Sequence, residues 1–336
     1  MKTKIDSLLL GFAVICLALA AGVLFFRMQR FQEASQDIRR NKAFESDINN
    51  STRTTESSQS ILEPEATPVC YTVSALITNL YRIDPENVEA RKYGEVSRGT
   101  ELKVFDEHGK YYLCYSEDME GIFCVEKSQV KEGVFFVSPE NGIDLRYALP
   151  EAEYDLLFAS ENNIIGHAMY PPVPMLETKT AEMLKAAAGM FAEEGYKIRI
   201  YDSYRPKSAQ FELYDIVQDA RFIADPYVNN SFHQLGRAVD MSLVDSKTGI
   251  ELTMPTPMHT FNEQASRYNR AAWSEEARKN VDYMTEVMER CGFRTIETEW
   301  WHFENGEAGD YMDPNLDYES LTLEPQEAYC EKYPQF

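Results

Sequence analysis

Residues 231–240 have the sequence Ser-Phe-His-Gln-Leu-Gly-Arg-Ala-Val-Asp, and residues 299–302 have the sequence Glu-Trp-Trp-His. A catalytic zinc ion takes three protein ligands and keeps one position open, whereas a structural zinc ion has all four positions filled by protein. His233, Asp240 and His302 supply three such ligands. Glu299 is then left over for proton transfer. The two segments therefore predict a site for one catalytic zinc ion (Zn²⁺) per chain.

Asp240 lies in a segment, residues 238–243, whose apolar and polar side chains alternate as they do in a strand. Three apolar side chains would face the core: Val239, Met241 and Leu243. Asp240 would lie on the opposite face, where an ionised carboxylate is costly unless it is paired or binds a metal. Gly236 permits a turn that brings His233 back over the strand end. We therefore expect His233 and Asp240 to meet.

Glu299 has a role beside a zinc ion that does not require contact with the metal. Zinc lowers the pKa of a bound water to about 7, and a nearby carboxylate can take that proton and deliver it to a leaving amine. This chemistry is peptide hydrolysis. Thr295 to Phe303 has the pattern of a strand, on which residues three apart point to opposite faces. Glu299 and His302 can converge only through an irregularity, which we expect at Trp300-Trp301. We expect both indoles to pack in the core, and stacking on the substrate is the alternative.

Each of these residues has an ordinary structural explanation when it is taken alone, and it is their combination that is specific. The sequence resembles the VanX-type D-alanyl-D-alanine dipeptidases, within the zinc D,D-peptidases that include VanY-type carboxypeptidases. The resemblance covers about residues 144–303 and rests on four motifs in order: Asp144-Leu-Arg-Tyr-Ala148, Tyr201-Asp-Ser-Tyr-Arg-Pro-Lys207, residues 231–240 and residues 299–302. It implies zinc on His233, Asp240 and His302, Glu299 as the catalytic acid and base, and Arg205 as a group that stabilises the transition state.

Arg205 also has a role that follows from its surroundings. Lys197 to Tyr201 predicts a strand, and Pro206 suits the first position of a helix over residues 206–213. A helix N-terminus favours an anion, so the guanidinium is placed to hold the oxyanion of a carbonyl under attack. The alternative is a structural ion pair with Asp202 or Asp144.

Substrate recognition departs from the family at one position. The family uses an aspartate, together with a serine of the zinc motif, to hold the free amino group of its substrate. Ser231 is present, but His259 takes the aspartate position. A neutral imidazole holds an ammonium group less firmly than a carboxylate, so His259 is either a modified contact to the substrate or an ordinary loop residue. Glu263 is a possible substitute.

The first 26 residues predict a membrane anchor. Residues 7–26 carry no charge and are mostly apolar, which at 1.5 Å per residue matches a hydrocarbon core of about 30 Å. A cleavable signal peptide is the alternative, with Ala18-Leu19-Ala20 as a cleavage pattern. Basic residues after the span favour a cytoplasmic catalytic domain if charge alone decides. Residues 27–67 are polar and predict a linker without a core of its own.

Residues 68–131 predict a small all-β barrel, because short strand-like segments alternate with turns. The segment resembles a bacterial SH3 domain in residues 73–76, 94–100 and 121–123. In bacteria such domains accompany cell-wall enzymes, which implies a wall-binding role, although a spacer is an alternative. A wall-binding module belongs outside the membrane, so we expect a single-pass protein of the cell membrane with an extracytoplasmic catalytic domain.

Charge and cysteine content restrict the partners and the redox state. With 33 basic and 55 acidic residues the net charge is −22, so binding to nucleic acid is disfavoured. Five cysteines follow Cys16. Two disulfides are possible, one between Cys114 and Cys124 and one between Cys291 and Cys330. No cysteine pattern suggests a zinc ligand.

The sequence thus predicts an α+β catalytic domain over residues 140–336, with helices over residues 178–194 and from the N-cap Ser274 to Cys291. Its leading predicted activity is zinc-dependent hydrolysis of free D-alanyl-D-alanine. One alternative is a D,D-carboxypeptidase acting on peptidoglycan stem peptides. Another is a wall-binding protein without catalysis, in which the zinc is structural.

Overall fold

The computed structural model describes residues 69–336, apart from residues 85–86, 117–118, 139–140 and 308. The predicted membrane anchor and linker lie outside these residues. Among the described residues, no helix combines the length and apolar character that a membrane crossing requires. The described residues belong to a single unit, Pro64–Phe336.

The first part of this unit is an antiparallel sheet of seven strands. In chain order they are β1 Val69–Val73, β2 Ile77–Asp84, β3 Asn87–Ser97, β4 Glu101–His108, β5 Tyr111–Ser116, β6 Met119–Glu126 and β7 Val130–Glu132. Their order in the sheet is β3-β2-β6-β5-β4-β1-β7. Gly109, with φ +58°, lies in the turn between β4 and β5, and short strands joined by turns are what the sequence predicts for this region. The long hairpin of β2 and β3 was not among the strands expected from the sequence, and the SH3-like assignment stays a prediction.

A second, four-stranded sheet follows, with the order β11-β9-β8-β16. Its strands are β8 Val134–Val137, β9 Gly142–Asp144, β11 Met175–Glu177 and β16 Thr322–Pro325. Because β16 comes from near the end of the chain and pairs with β8, this sheet joins the two ends of the catalytic region.

The third sheet carries the candidate site and has the order β10-β12-β13-β15-β14. Its strands are β10 Glu153–Tyr154, β12 Tyr196–Asp202, β13 Ala238–Asp245, β14 Arg294–Thr295 and β15 His302–Glu304. The central strand β13 is antiparallel to both neighbours, and Asp240 lies opposite Asp202 on one side and His302 on the other. This register brings three polar side chains to one point of the sheet.

Within the part of the chain that the structure describes, five helices accompany the sheets: α1 Leu145–Ala148, α2 Thr178–Glu193, α3 Lys207–Val217, α4 Glu275–Arg290 and α5 Gln326–Lys332. Short 3₁₀ helices cover Lys127–Gln129, Leu157–Ala159, Arg267–Ala272 and Tyr318–Ser320. The predicted N-cap of α4 is confirmed, because the side chain of Ser274 accepts a hydrogen bond from the backbone N–H of Ala277. The prediction of a mixed helix and sheet fold is confirmed for the catalytic region.

The main core lies between the five-stranded sheet and the long helices α2 and α4. Val239, Met241 and Leu243 of β13 are fully buried in it, as their alternation predicts, and full burial of such a side chain stabilises the fold by about 1.5–3 kcal/mol. Trp300 and Trp301 are also fully buried in this core. Both indoles therefore serve packing, in agreement with the sequence analysis.

The strand expected from Thr295 to Phe303, with a local irregularity at the two tryptophans, is interrupted over most of its length. The chain leaves the sheet after β14 and returns only at His302, so residues 296–301 belong to neither strand. The irregularity expected at the two tryptophans is therefore larger than one bulge. Its physical reason is that both bulky indoles and Glu299 are turned inwards, which the alternation of a regular strand cannot provide.

The cysteine pairs considered as disulfides are not bonded. Cys70, Cys114, Cys124, Cys291 and Cys330 are free thiols. Cys114 lies opposite Phe123 and Cys124 lies opposite Leu113, so the two side chains point to opposite faces of the β5–β6 hairpin. Burial raises the pKa of Cys114 to about 12, which keeps this thiol protonated and unreactive.

Candidate active site

His233, Asp240 and His302 meet at the central strand of the five-stranded sheet, where β12 ends and β15 begins, and are all buried. Asp240 is on β13, His302 is opposite it on β15, and His233 comes from the turn that precedes β13. Gly236 makes this turn possible, because its φ is +66° and a Cβ there would lie 2.5 Å from Sδ of Met312. The structure thus brings together the three predicted metal ligands.

The geometry of the three side chains fits a zinc ion. Nε2 of His233 lies 3.2 Å from Nδ1 of His302 and 3.4 Å from Oδ1 of Asp240. Nδ1 of His302 lies 3.0 Å from the same oxygen. Zinc bonds of about 2.0–2.1 Å in a tetrahedral arrangement place neighbouring ligand atoms about 3.3 Å apart. Three atoms that are separated by nearly this distance already have the spacing of three corners of a zinc tetrahedron.

The pKa values of the clustered side chains also indicate a site that favours a cation. Burial opposes ionisation of Asp240, but the charge of His233 and hydrogen bonds from the neighbouring histidines hold the pKa of this carboxyl well below its usual value. Burial disfavours the His302 cation, yet hydrogen bonds to Asp240 and Glu304 raise its pKa to about 10. The surroundings of His302 therefore favour a positive charge at this point, and a metal cation that binds there would have to displace the proton of His302.

Glu299 lies next to this cluster, with Oε2 3.9 Å from Nδ1 of His302. It is buried, and burial raises the pKa of Glu299 to about 8 in spite of the nearby charges of His302 and Arg205. Its Oε1 makes no hydrogen bond of ordinary geometry to a described residue. A carboxyl group with these properties exchanges a proton near neutral pH, as a general acid and base must.

Arg267 fixes the irregular segment that carries Glu299, and the sequence analysis missed it. Its guanidinium donates to the backbone carbonyls of Glu299, at 3.2 Å, and Trp300, at 2.8 Å. Nε1 of Trp300 donates to Oγ1 of Thr256 at 2.9 Å. The bonds from Arg267 satisfy backbone carbonyls that a regular strand would pair within the sheet, and the bond to Thr256 satisfies the buried indole N–H. No short motif marks Arg267, because its partners are about thirty residues further along the chain.

Arg205 forms the structural ion pair considered for it from the sequence, and its role at the oxyanion stays a prediction. It forms a buried ion pair with Asp202, in which Nε donates at 2.8 Å. Its Nη2 also lies 3.9 Å from Oδ2 of Asp240, so the guanidinium borders the metal cluster. Asp202 is held in turn by the hydroxyl of Tyr170 at 2.5 Å. Asp144, the other partner considered, pairs with Arg146 instead.

Comparison with known proteins assigns the chain to a family. The sequence profile of the peptidase family described as D-ala-D-ala dipeptidase matches residues 140–321. The chain belongs to this family. It is therefore an enzyme, a metallopeptidase of the D-Ala-D-Ala dipeptidase family.

Two D-alanyl-D-alanine dipeptidases agree with the family assignment. The D-alanyl-D-alanine dipeptidase of Escherichia coli (strain K12) is 32% identical over 170 residues, which cover 50% of this chain and 86% of the relative. The D-alanyl-D-alanine dipeptidase of Enterococcus faecalis (strain ATCC 700802 / V583) is 26% identical over 185 residues, covering 49% and 91%. A solved structure of a mutant vancomycin resistance D,D-pentapeptidase VanY with Zn(II) is 16% identical, covers 40% of this chain and 74% of that protein, and has a TM-score of 0.27.

The two residues predicted to contact substrate in this metallopeptidase have protein partners. Oγ of Ser231 accepts a hydrogen bond from the backbone N–H of His233 at 3.1 Å, which stabilises the turn of the ligand motif. Nε2 of His259 donates to Oδ2 of Asp240 at 3.0 Å, and the ring stacks on Phe158 at 4.5 Å. Glu263, considered as a substitute, is exposed and pairs with Arg221, so it lies away from the cluster.

Proposed function

We propose that this enzyme is a zinc-dependent D,D-peptidase that hydrolyses the bond between two D-alanine residues, with free D-alanyl-D-alanine as the leading substrate. The observation that carries the proposal is the convergence of His233, Asp240 and His302 at zinc-ligand spacing beside the buried carboxyl of Glu299. Membership of the D-Ala-D-Ala dipeptidase family supports the substrate class.

The residues divide the chemical work between them. A zinc ion on the three ligands would supply a Lewis acid and make water a stronger nucleophile near neutral pH. Glu299 takes the proton from the attacking water and later delivers it to the leaving amine. Arg205, with its charge directed to the cluster by Asp202, faces the negative charge that develops on the carbonyl oxygen.

The burial of the site favours a small substrate. The side chains of His233, Asp240, Glu299, His302 and Arg205 are each less than a tenth exposed. A site this enclosed suits a free dipeptide better than the end of a cross-linked polymer. Ser231 and His259 remain our proposed contacts for the substrate's amino end, because each forms a hydrogen bond to one of the metal ligands, His233 and Asp240 respectively.

One observation favours the second candidate, a D,D-carboxypeptidase that trims stem peptides. A free dipeptide carries an ammonium group, which a carboxylate would hold. His259 is hydrogen-bonded to Asp240, and Glu263 lies on the surface. Neither residue therefore offers a free carboxylate to the ammonium group of the dipeptide. A stem peptide has an amide nitrogen at the same place and needs no such partner.

The test is release of D-alanine by the zinc-loaded full-length chain from free D-alanyl-D-alanine and from a stem pentapeptide with the same end. Glu299→Ala is the blank, because it keeps the three metal ligands. Cleavage of the dipeptide alone supports a dipeptidase, and preference for the pentapeptide supports a carboxypeptidase. Equal rates for wild type and Glu299→Ala on both substrates would overturn the proposal.

We also propose that the chain is anchored in the cell membrane with its catalytic region outside, and that the seven-stranded sheet binds the cell wall. The support is the apolar run over residues 7–26 and the resemblance of residues 68–131 to wall-associated domains. Protease treatment of intact spheroplasts should degrade the catalytic region if it is external. Protection of that region until the membrane is permeabilised would contradict this placement.

A further inference from the structure

Glu304 is a buried carboxylate outside the ligand set, and it contacts one of the ligands directly. It lies two residues after His302 on β15, so both side chains are on the same face of the strand. Its Oε2 is 3.2 Å from Nε2 of His302. The opposite ring nitrogen, Nδ1, is the one directed at Asp240 and His233.

Arg294 holds Glu304 in this position from the neighbouring strand. The two residues lie opposite each other in the pairing of β14 with β15, and Nε of Arg294 donates to Oε1 of Glu304 at 2.7 Å. The guanidinium lies against the backbone of Gly306, where a Cβ would be 2.6 Å from it, and over the ring of Phe232 at 5.0 Å. Each oxygen of Glu304 therefore has its own partner, one on the metal cluster and one outside it.

The chemistry of imidazole makes this contact consequential. A histidine binds a metal through a nitrogen that carries a lone pair, and the other nitrogen then carries the proton. An acceptor at that second nitrogen fixes the tautomer, orients the ring and raises the basicity of the ligating atom. Glu304 is such an acceptor for His302. His233 uses the backbone carbonyl of Ser203, at 2.8 Å from its Nδ1, so the two histidines are supported by acceptors of different charge.

We propose that Glu304, held by Arg294, is a positioning residue that fixes His302 as the tautomer protonated on Nε2 and thereby sets the metal affinity of the cluster. This inference rests on the proposed function only in requiring that His233, Asp240 and His302 bind zinc. Removal of an outer hydrogen-bond partner of a metal ligand typically weakens binding about 10- to 100-fold. The negative charge of Glu304 and its hydrogen bond to His302 both contribute to the zinc affinity.

The experiment measures the zinc dissociation constant of the full-length chain by competition with a chromophoric chelator. Glu304→Ala removes the acceptor and should raise the constant about 10- to 100-fold. Glu304→Gln keeps an oxygen acceptor without the charge, so its constant should lie between those of wild type and Glu304→Ala. Arg294→Gln should have a smaller effect in the same direction, because the half-exposed guanidinium acts on the metal only through Glu304.

A matched control comes from the same sheet. Glu153 pairs with Arg199 at 2.6 Å, across β10 and β12, without contacting any of the three ligands. Glu153→Gln therefore removes a similar ion pair and should leave zinc affinity unchanged. The second readout is the ¹⁵N NMR spectrum of the zinc-loaded protein, in which His302 of wild type should be protonated on Nε2.

The outcomes separate this inference from the function on which it rests. If wild type binds zinc and Glu304→Ala binds it as tightly as Glu153→Gln does, the role of Glu304 is overturned while the proposed peptidase stands. If His302 in the zinc-loaded protein carries its proton on Nδ1, the inference is overturned as well. A wild-type chain that binds no zinc would remove both proposals.

Discussion

The five-stranded sheet and the seven-stranded sheet treat charge in opposite ways. Around β13, ionisable groups such as Asp240, Glu299 and Arg205 are almost completely inaccessible to solvent. In the seven-stranded sheet, no Asp, Glu, Lys, Arg or His is buried among the side chains that the structure describes. Its ion pairs, such as Lys110 with Glu126 and Lys127 with Glu107, are partly or largely exposed.

This difference in buried charge shows which sheet contains side chains whose burial destabilises the fold. The core of the seven-stranded sheet is made of side chains such as Leu80, Leu102 and Phe123, whose burial stabilises the fold directly. A buried carboxyl such as Glu299 instead costs free energy unless a partner compensates for it. Buried charge without full compensation is a mark of a functional site, and within this chain that mark lies on the five-stranded sheet.

The largest effect should follow from removing the proton-transfer group. Glu299→Gln keeps the size of the side chain but cannot accept a proton, so kcat should fall by about 10²- to 10⁴-fold, as measured by D-alanine release. Glu107→Gln is the control, because this exposed carboxylate pairs with Lys127 on the other sheet. An equal loss of kcat in both variants would contradict the assignment of the active site to the five-stranded sheet.

The second effect concerns stability in the seven-stranded sheet. Phe123 is fully buried, whereas its neighbour Ile122 on the opposite face is 59% exposed. Phe123→Ala should lower the free energy of unfolding by about 3–5 kcal/mol, and Ile122→Ala should change it by less than about 0.5 kcal/mol. Urea denaturation of the full-length chain measures both. Because Phe123 has no part in the metal cluster, zinc affinity of the folded variant should remain that of wild type.

A third test uses pH to expose the cost of burying Glu299 in the metal-free protein. Burial raises its pKa from 4.5 to about 8, so folding incurs no cost of ionisation below pH 4.5, where the carboxyl is protonated in both states. As pH rises towards 8, the unfolded state ionises first and wild type loses stability. Glu299→Gln should therefore gain stability over wild type between pH 5 and 8, by an amount on the order of a few kcal/mol. A difference in unfolding free energy that stays constant over this range would refute the raised pKa.

The smallest effect is expected at His259. His259→Phe keeps a ring to stack on Phe158 but removes the hydrogen bond to Asp240, so zinc affinity should fall by about tenfold. His167→Phe changes an exposed histidine that pairs with Glu212 and should have no effect. Unchanged affinity in His259→Phe would mean that this histidine is not needed to orient Asp240.

The sequence predicted the site better than it predicted the strands around it. The motif from Ser231 to Asp240 combines ligands, turn and strand in ten residues, so local rules of periodicity and glycine conformation were sufficient. The segment before His302 was harder, because local alternation indicated a continuous strand where the chain leaves the sheet. Packing of two indoles against the core outweighed that local preference.

The sequence by itself determined the chemistry of the cluster, since the identities and spacing of His233, Asp240, Glu299 and His302 already specify ligands and a proton carrier. The tertiary structure decided what surrounds them. Arg267 supports Glu299, Glu304 contacts His302, and desolvation raises the pKa of Glu299. These effects arise because distant parts of the chain exclude water and provide hydrogen bonds at one point, and no local pattern of residues encodes that arrangement.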